Sequence, residues 1–232
     1  DDPKGMRDVY IEPRDAFPKH AQLRTWNRWP QGVPSRALDI AIAALALLFF
    51  LPLFLLVAIA IKLADPGPVF FRHRRVGLGG KTFGCWKFRT MVVDAEQRLA
   101  AILASDPEAA REWHESQKLT HDPRVTWLGN FLRRSSLDEL PQLFNVLMGE
   151  MSIVGPRPIV ETEAARYGQH FALYCLVRPG ITGLWQISGR SDVRYFERVL
   201  MDVRYVSSRT MLRDLRIIVL TVPSVLAARG SR

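Results

Sequence analysis

The stretch "ALDIAIAALALLFFLPLFLLVAIAI", Ala37 to Ile61, constrains this chain more than any other: 25 residues in which Asp39 is the single charge. As one helix it reaches about 37 Å at 1.5 Å per residue, enough for a hydrocarbon core of about 30 Å. A signal anchor is the simplest reading. A cleavable signal peptide fits badly, because the run is too long and Ala58-Ile59-Ala60 is the one hint of a cleavage site. Two features oppose a plain span. Pro52 sits inside the run, where it removes a donor and clashes with the preceding turn. Basic residues lie on both flanks: Arg24, Arg28 and Arg36 before, Lys62, Arg72, Arg74 and Arg75 after. Cytoplasmic retention of positive charge pulls both ends to one side. A helix bent at Pro52 that dips in and returns, with Trp26 and Trp29 at the interface and a new partner for the Leu48 carbonyl, satisfies both. Charge alone leaves span and re-entry open.

The 232 residues suit one domain with an appendage, and the net charge of +9 favours an anionic partner: nucleic acid, an acidic membrane surface or phosphate-bearing substrates. Cys85 and Cys175 form no metal or disulfide spacing and fit a reducing compartment. No HExxH, CxxC, GxSxG or P-loop pattern supports zinc, serine-hydrolase or Walker-type chemistry. Three parts are expected: a polar, Pro-rich lead-in over 1–35 with an interfacial helix around Gln22–Trp29, a membrane helix over 36–63, and a catalytic domain over 64–232. Within the last, strands around "LGGK" read as a β-hairpin, and two polar helices break at Asp106-Pro107. Leu140, Leu143, Phe144, Leu147 and Met151 line one helix face, with Gly149 as its stop. "MSIVG" reads as a short buried strand, "VRPGITGLWQISGR" as loop, and residues 211–232 as an interfacial amphipathic helix.

In "RRSSLDELPQLFNVLMGEMSIVGPRP" (133–158) two adjacent carboxylates, Asp138 and Glu139, lie among arginines and prolines. Pro141 tolerates only a first helical turn, so a helix should begin near Leu137 or Asp138, with Asp138 as N-cap and Ser136 and Glu139 as a capping box. The same geometry serves chemistry. A helix N-terminus favours a phosphate and keeps Asp138 ionised, and an ionised carboxylate can attack phosphorus. Glu139 could hold a Mg²⁺, and Arg133, Arg134 and Arg157 could fork onto phosphate oxygens.

"KFRTM", "LRRSSLDELPQLFNVLMGEMSIVGPRP" and "RPGITGLWQISGR" resemble the signature blocks of the bacterial sugar transferases, the monotopic polyprenyl-phosphate phosphoglycosyl transferases that begin glycan assembly. The resemblance runs from about Arg36 to the end of the chain, and its middle block is highly specific. It implies Asp138 as nucleophile, Glu139 as Mg²⁺ ligand, Arg133 as phosphate holder, Pro156, Arg157 and Pro158 at the site's border, and Lys87 and Arg89 facing the diphosphate. It implies a membrane helix broken at Pro52, where many members carry Ser-Pro and this chain has Leu51-Pro52. The expected fold is α/β, mostly helical with a small β-hairpin, monotopic, with interfacial amphipathic helices.

The expected reaction passes a sugar-1-phosphate, galactose or glucose, from a UDP-sugar to undecaprenyl phosphate with loss of UMP, in exopolysaccharide or glycan assembly. The expected place is the cytoplasmic face of a bacterial inner membrane, in contact with its lipids. Nucleic acid is not an expected partner, and a homodimer stays open. Two rivals stand beside it. A membrane-tethered module for nucleic acid or acidic lipid also suits the charge, though the basic residues are dispersed and no stacking-aromatic or recognition-helix motif appears. A signal-anchored scaffold leaves the Arg-Asp-Glu-Pro cluster without a purpose.

Overall fold

A computed structural model describes residues 33–116, 119–188 and 194–226. Residues 1–32 of the lead-in, with Gln22–Trp29, and Gly189 and the tail from 227 onward lie outside the described residues, while residues 33–35 already belong to the first helix. The first element is helix α1, Val33–Ala64, with Pro52 inside it. The helix shows no gap at that proline; it runs on through Ala64. Among the described residues it is the one helix long and apolar enough to cross a membrane. One face is nonetheless covered by protein, with Ser35, Asp39, Ala43, Phe54, Val57 and Ile61 buried, while Leu45, Leu48, Phe49, Leu56 and Leu63 are exposed.

The covered face meets the same folded body on both sides of Pro52. Ala43 joins a cluster with Val146, Ile153, Tyr205 and Ile217, whereas Phe54, Val57 and Ile61 pack with Phe88 and Leu132. Each such large side chain taken from water contributes about 1.5–3 kcal/mol. The one charge of the apolar run is satisfied by that body too: Asp39 Oδ1 and Oδ2 accept from Ser152 Oγ at 3.0 and 2.9 Å, and Oδ1 accepts from the Ile153 amide at 2.9 Å.

Strands β1 (Phe70–Val76) and β2 (Thr82–Phe88) form the expected antiparallel hairpin, in register from Phe70 opposite Phe88 to Val76 opposite Thr82. Gly79 and Gly80 turn it at φ 67° and 75°, a conformation open to glycine and costly for most other residues. Helices α2 (Ala95–Ser105) and α3 (Pro107–Ser116) divide at Asp106 as read from the sequence. Helix α4 (Trp127–Arg134) leads through a 3₁₀ turn at Leu137–Glu139 into α5 (Gln142–Met148), which stops at Gly149, φ 84°. On α5, Leu143 and Val146 are buried while Phe144 and Leu147 are partly exposed; Met151 is buried but lies past the helix, so the five-residue face is shorter than expected.

Strand β3 (Ser152–Val154) pairs in parallel with β4 (Gly180–Thr182). This corrects the reading of "VRPGITGLWQISGR" as loop: its glycines permit a close strand pairing, and a short helix, α8 (Leu184–Ile187), follows. Between β3 and β4 lie two single-turn helices, α6 (Ala164–Tyr167) and α7 (Phe171–Tyr174). Helices α9 (Tyr195–Ser207) and α10 (Met211–Leu226) close the body. Tyr205 fastens them by donating to Asp214 Oδ1 at 2.8 Å and approaching the Val154 carbonyl at 3.1 Å. On α10, Asp214 and Ile217 face inward and Leu212, Val219 and Val222 outward, the two-faced pattern anticipated for this segment.

Candidate active site

The acidic pair does not cap a helix. Ser136, the residue before the turn, adopts a left-handed conformation (φ 58°), and its side chain caps nothing. Helix α5 starts later, at Gln142, with Pro141 in front of it. The capping reading fails because the left-handed serine reverses the chain directly out of α4. Asp138, 7% exposed, is thereby turned inward onto β2.

There it meets Lys87. Lys87 Nζ lies 3.2 Å from Asp138 Oδ2 and 2.7 Å from Glu139 Oε1, one ammonium bridging both carboxylates. Burial raises the Asp138 carboxyl above the ordinary aspartate value and the adjacent Glu139 charge adds to this, with Lys87 opposing both. At Glu139 burial also acts against the charge, but Lys87, Arg157 and Arg75 outweigh it and hold the carboxyl at about 2. Burial works against the Lys87 ammonium, yet the two carboxylates prevail and raise its pKa. The site therefore sets a firmly ionised glutamate beside an aspartate that takes up a proton more readily than usual. Its charge depends on Lys87 rather than on a helix terminus.

Two other segments bring further cations. Arg133, at the end of α4, donates from Nε to Thr90 Oγ1 at 2.9 Å, and its charge favours the ionised form of Asp138. Arg157 projects from between buried Pro156 and Pro158 and reaches Glu139 Oε1 at 3.8 Å, with its guanidinium 5.9 Å above the Trp185 ring. Arg89, expected alongside Lys87, points elsewhere. Strand alternation would set it on the Lys87 face, but β2 ends at Phe88 and Arg89 turns to Asp65, whose carbonyl accepts from Nη2 and whose carboxylate lies 3.4 Å from Nη1. Pro52 sits on α1, in the membrane-segment part of the fold rather than among these charges.

The frame around the pair contains residues that sequence reasoning passed over. Asn145 on α5 is fully buried and ties the helix to β2: Oδ1 accepts from the Trp86 amide at 2.9 Å and Nδ2 donates to the Gly84 carbonyl at 2.8 Å. This fixes Lys87 against the acidic turn. Gly129 lets α4 approach the segment after β2, since a Cβ there would stand 1.9 Å from the Thr90 carbonyl oxygen. Arg75, read from the sequence only as a flanking charge, lines a pocket with Lys87, Glu139, Arg157 and Gln186. An Asn in an apolar helix face was the one available signal for Asn145; nothing local marked Arg75.

No group of three or more His, Cys, Asp or Glu side chains among the described residues is arranged to hold a metal ion. The two carboxylates of the acidic pair still suit Mg²⁺, which keeps most of its waters and takes one or two carboxylates plus phosphate oxygens.

A buried, lysine-bridged aspartate and glutamate ringed by arginines is a site for phosphate chemistry, and the chain carrying it belongs to the bacterial sugar transferase family, whose profile matches residues 31–228. Among particular relatives, it is 50% identical over 200 residues to the exopolysaccharide production protein ExoY of Sinorhizobium fredii, covering 86% of this chain and 88% of that one. It is 46% identical to the undecaprenyl-phosphate galactose phosphotransferase of Salmonella typhimurium and 43% identical to the UDP-glucose:undecaprenyl-phosphate glucose-1-phosphate transferase of Escherichia coli. Those matches cover 84% and 81% of this chain but 41% and 39% of the longer relatives.

Proposed function

We propose that this protein transfers a hexose-1-phosphate, galactose or glucose, from a UDP-sugar to undecaprenyl phosphate, through a covalent phosphosugar on Asp138. The observation that carries it is the Lys87 bridge, which opposes the neutralisation of a buried carboxylate and aims it amid cations suited to phosphate. In the first step an Asp138 oxygen bonds to the β-phosphorus, the bond to the bridging oxygen breaks, and UMP departs with that oxygen. In the second, an oxygen of the lipid phosphate attacks the same phosphorus and frees Asp138. Arg133 and Arg157 bind the phosphoryl oxygens, and Lys87 offsets charge beside the nucleophile. Mg²⁺, held by Glu139 with Asp138, would supply neutralisation of the phosphate oxygens.

The relatives' names support the choice of substrates. The exposed apolar row of α1, with both halves of its other face against one body, supports a monotopic, re-entrant placement at the cytoplasmic face of the inner membrane. Enzyme given Mg²⁺ and the correct UDP-sugar, without lipid acceptor, should release up to about one UMP per site and gain a hexose phosphate on the peptide containing Asp138. Asp138→Asn should keep the fold and lose both. No UMP before acceptor is added would mean direct attack by the lipid phosphate.

A further inference from the structure

The pocket on the Glu139 side of the site is lined by three cations, Arg75, Lys87 and Arg157, and by one carboxylate, Glu139. Arg75 is fixed there: Nη1 donates to the Pro158 carbonyl at 3.3 Å and lies 3.8 Å from Glu163 Oε2, and Nη2 is 3.1 Å from His73 Nδ1. Burial lowers the His73 pKa, and the charge of Arg75 lowers it further, so a neutral ring accepts from Arg75. Burial is also the main influence depressing Arg75, followed by the charge of Arg157. Two guanidiniums thus crowd one pocket with Lys87. The carboxylate facing all three, Glu139, is in contact with Lys87 at 2.7 Å and with Arg157 at 3.8 Å. Like charges gathered out of water are costly until an anion joins them.

Two further observations bear on the occupant, whose organic part would have to supply the donor that a phosphate dianion lacks. Gln186 lines the same pocket, and its Oε1 is buried without a hydrogen-bond partner among the described residues, an acceptor awaiting an N–H or O–H donor. The Asp138 side has its own cation in Arg133, anchored at Thr90. The acidic pair therefore stands between two basic groups, one on each side.

We propose that Arg75 and Arg157 form a phosphomonoester site beside Glu139, separate from the phosphoryl position at Asp138, with Arg75 as its fixed binding residue. Resting on the two-step transfer above, this site takes the phosphate of UMP as it leaves and then the phosphate of the lipid acceptor. Both are monoesters carrying close to two negative charges at neutral pH. Sequential use of one site positions the second phosphate where the first departed, in line with the same phosphorus.

The test is binding of UMP, of uridine and of a short-chain polyprenyl phosphate to the full-length protein in nanodiscs, without UDP-sugar. Arg75→Gln should weaken UMP about 10- to 100-fold, as expected for a charge-assisted contact, and leave uridine nearly unchanged. Arg75→Lys, which keeps the charge near Glu163 but loses the fork, should fall between and serves if the glutamine variant melts early. Arg133→Gln should disturb UMP less than Arg75→Gln does. The polyprenyl phosphate should compete with UMP in wild type. Unchanged UMP affinity in both Arg75 variants, or simultaneous binding of the two monoesters, overturns the shared site. Wild type that forms the adduct while Arg75 variants bind UMP normally removes this site and keeps the transfer. Arg75-dependent UMP binding without UMP release from any UDP-sugar keeps the site and removes the transfer.

Discussion

Lys87 decides the working state of the nucleophile. Burial and Glu139 both push the Asp138 carboxyl toward its neutral form, and Lys87 is the largest influence against them. Attack requires the carboxylate, so UMP release should fall as pH drops through the Asp138 pKa. Lys87→Met removes the opposing charge and should move that acid limb upward by about one to three pH units, whereas Lys87→Arg should hold it near wild type. A pH profile of single-turnover UMP release measures this, and an unmoved limb in the methionine variant excludes the role. Asp202 gives the opposite kind of titration, in stability. Tyr167 donates to its Oδ2 at 2.8 Å, yet burial raises its pKa to about 7. A carboxyl raised on folding stabilises fully below its unfolded pKa, and that contribution is lost as pH rises through the folded one. The protein should lose up to about 1.4 kcal/mol per pH unit from Asp202 between roughly pH 4 and 7. Asp202→Asn, which still accepts from Tyr167, should raise the melting temperature relative to wild type at pH 8 more than at pH 5. Equal effects at the two pH values would show that Asp202 is ionised throughout.

Among the elements, α4 is placed by a single close approach. Its cap is Thr126, whose Oγ1 accepts from the Gly129 amide at 2.9 Å, and the Thr126 amide donates to the Thr90 carbonyl at 3.0 Å. Gly129→Ala would drive a methyl into that carbonyl. Displacing α4 should cost about 1–3 kcal/mol or more and draw Arg133 away from Thr90. Thermal melts should show the loss, and the rate of the first UMP should fall beyond what the unfolded fraction explains; a normal melt would mean that α4 shifts freely. Elements whose cause is local were legible in the sequence: the glycine-turned hairpin, the break at Asp106-Pro107, the stop at Gly149. Elements whose cause is distant were not. Strand β4 exists because β3 lies beside it, and the acidic turn faces inward because of a lysine 51 residues earlier, against a nearby S-x-x-E that imitates a cap. Asp138, Glu139, Arg133 and Arg157 stood out as a cluster in the sequence and Lys87 through resemblance, while Arg75, Asn145 and Gly129 became visible only as spatial neighbours.

At the scale of the molecule, α1 joins an exposed apolar surface to the site. Its outer row faces away from the protein, and its inner row reaches Phe88, next to Lys87 on β2, and Val146 on α5. For the proposed re-entrant placement, single cysteines at Gln31 and Val69, in a background lacking Cys85 and Cys175, should both resist a membrane-impermeant thiol reagent on intact spheroplasts. Labelling at Gln31 alone would establish a span. Pro52→Leu should move some molecules toward that state by removing the reason for a bend.

The hydrogen bonds from Ser152 to Asp39 cross 113 residues of chain. Ribosomes add about 5–20 residues per second, so Asp39 emerges roughly 6 to 23 s before the hydroxyl that donates to it is made. During that interval Phe88 and Leu132 are made and can cover the second half of the helix, but the partners of Asp39 are still missing. The exposed outer row of α1 needs a hydrocarbon surface or a holding chaperone to cover it before the catalytic body closes on the inner one. A variant whose body folds slowly would accumulate as inactive chains with both rows of α1 uncovered.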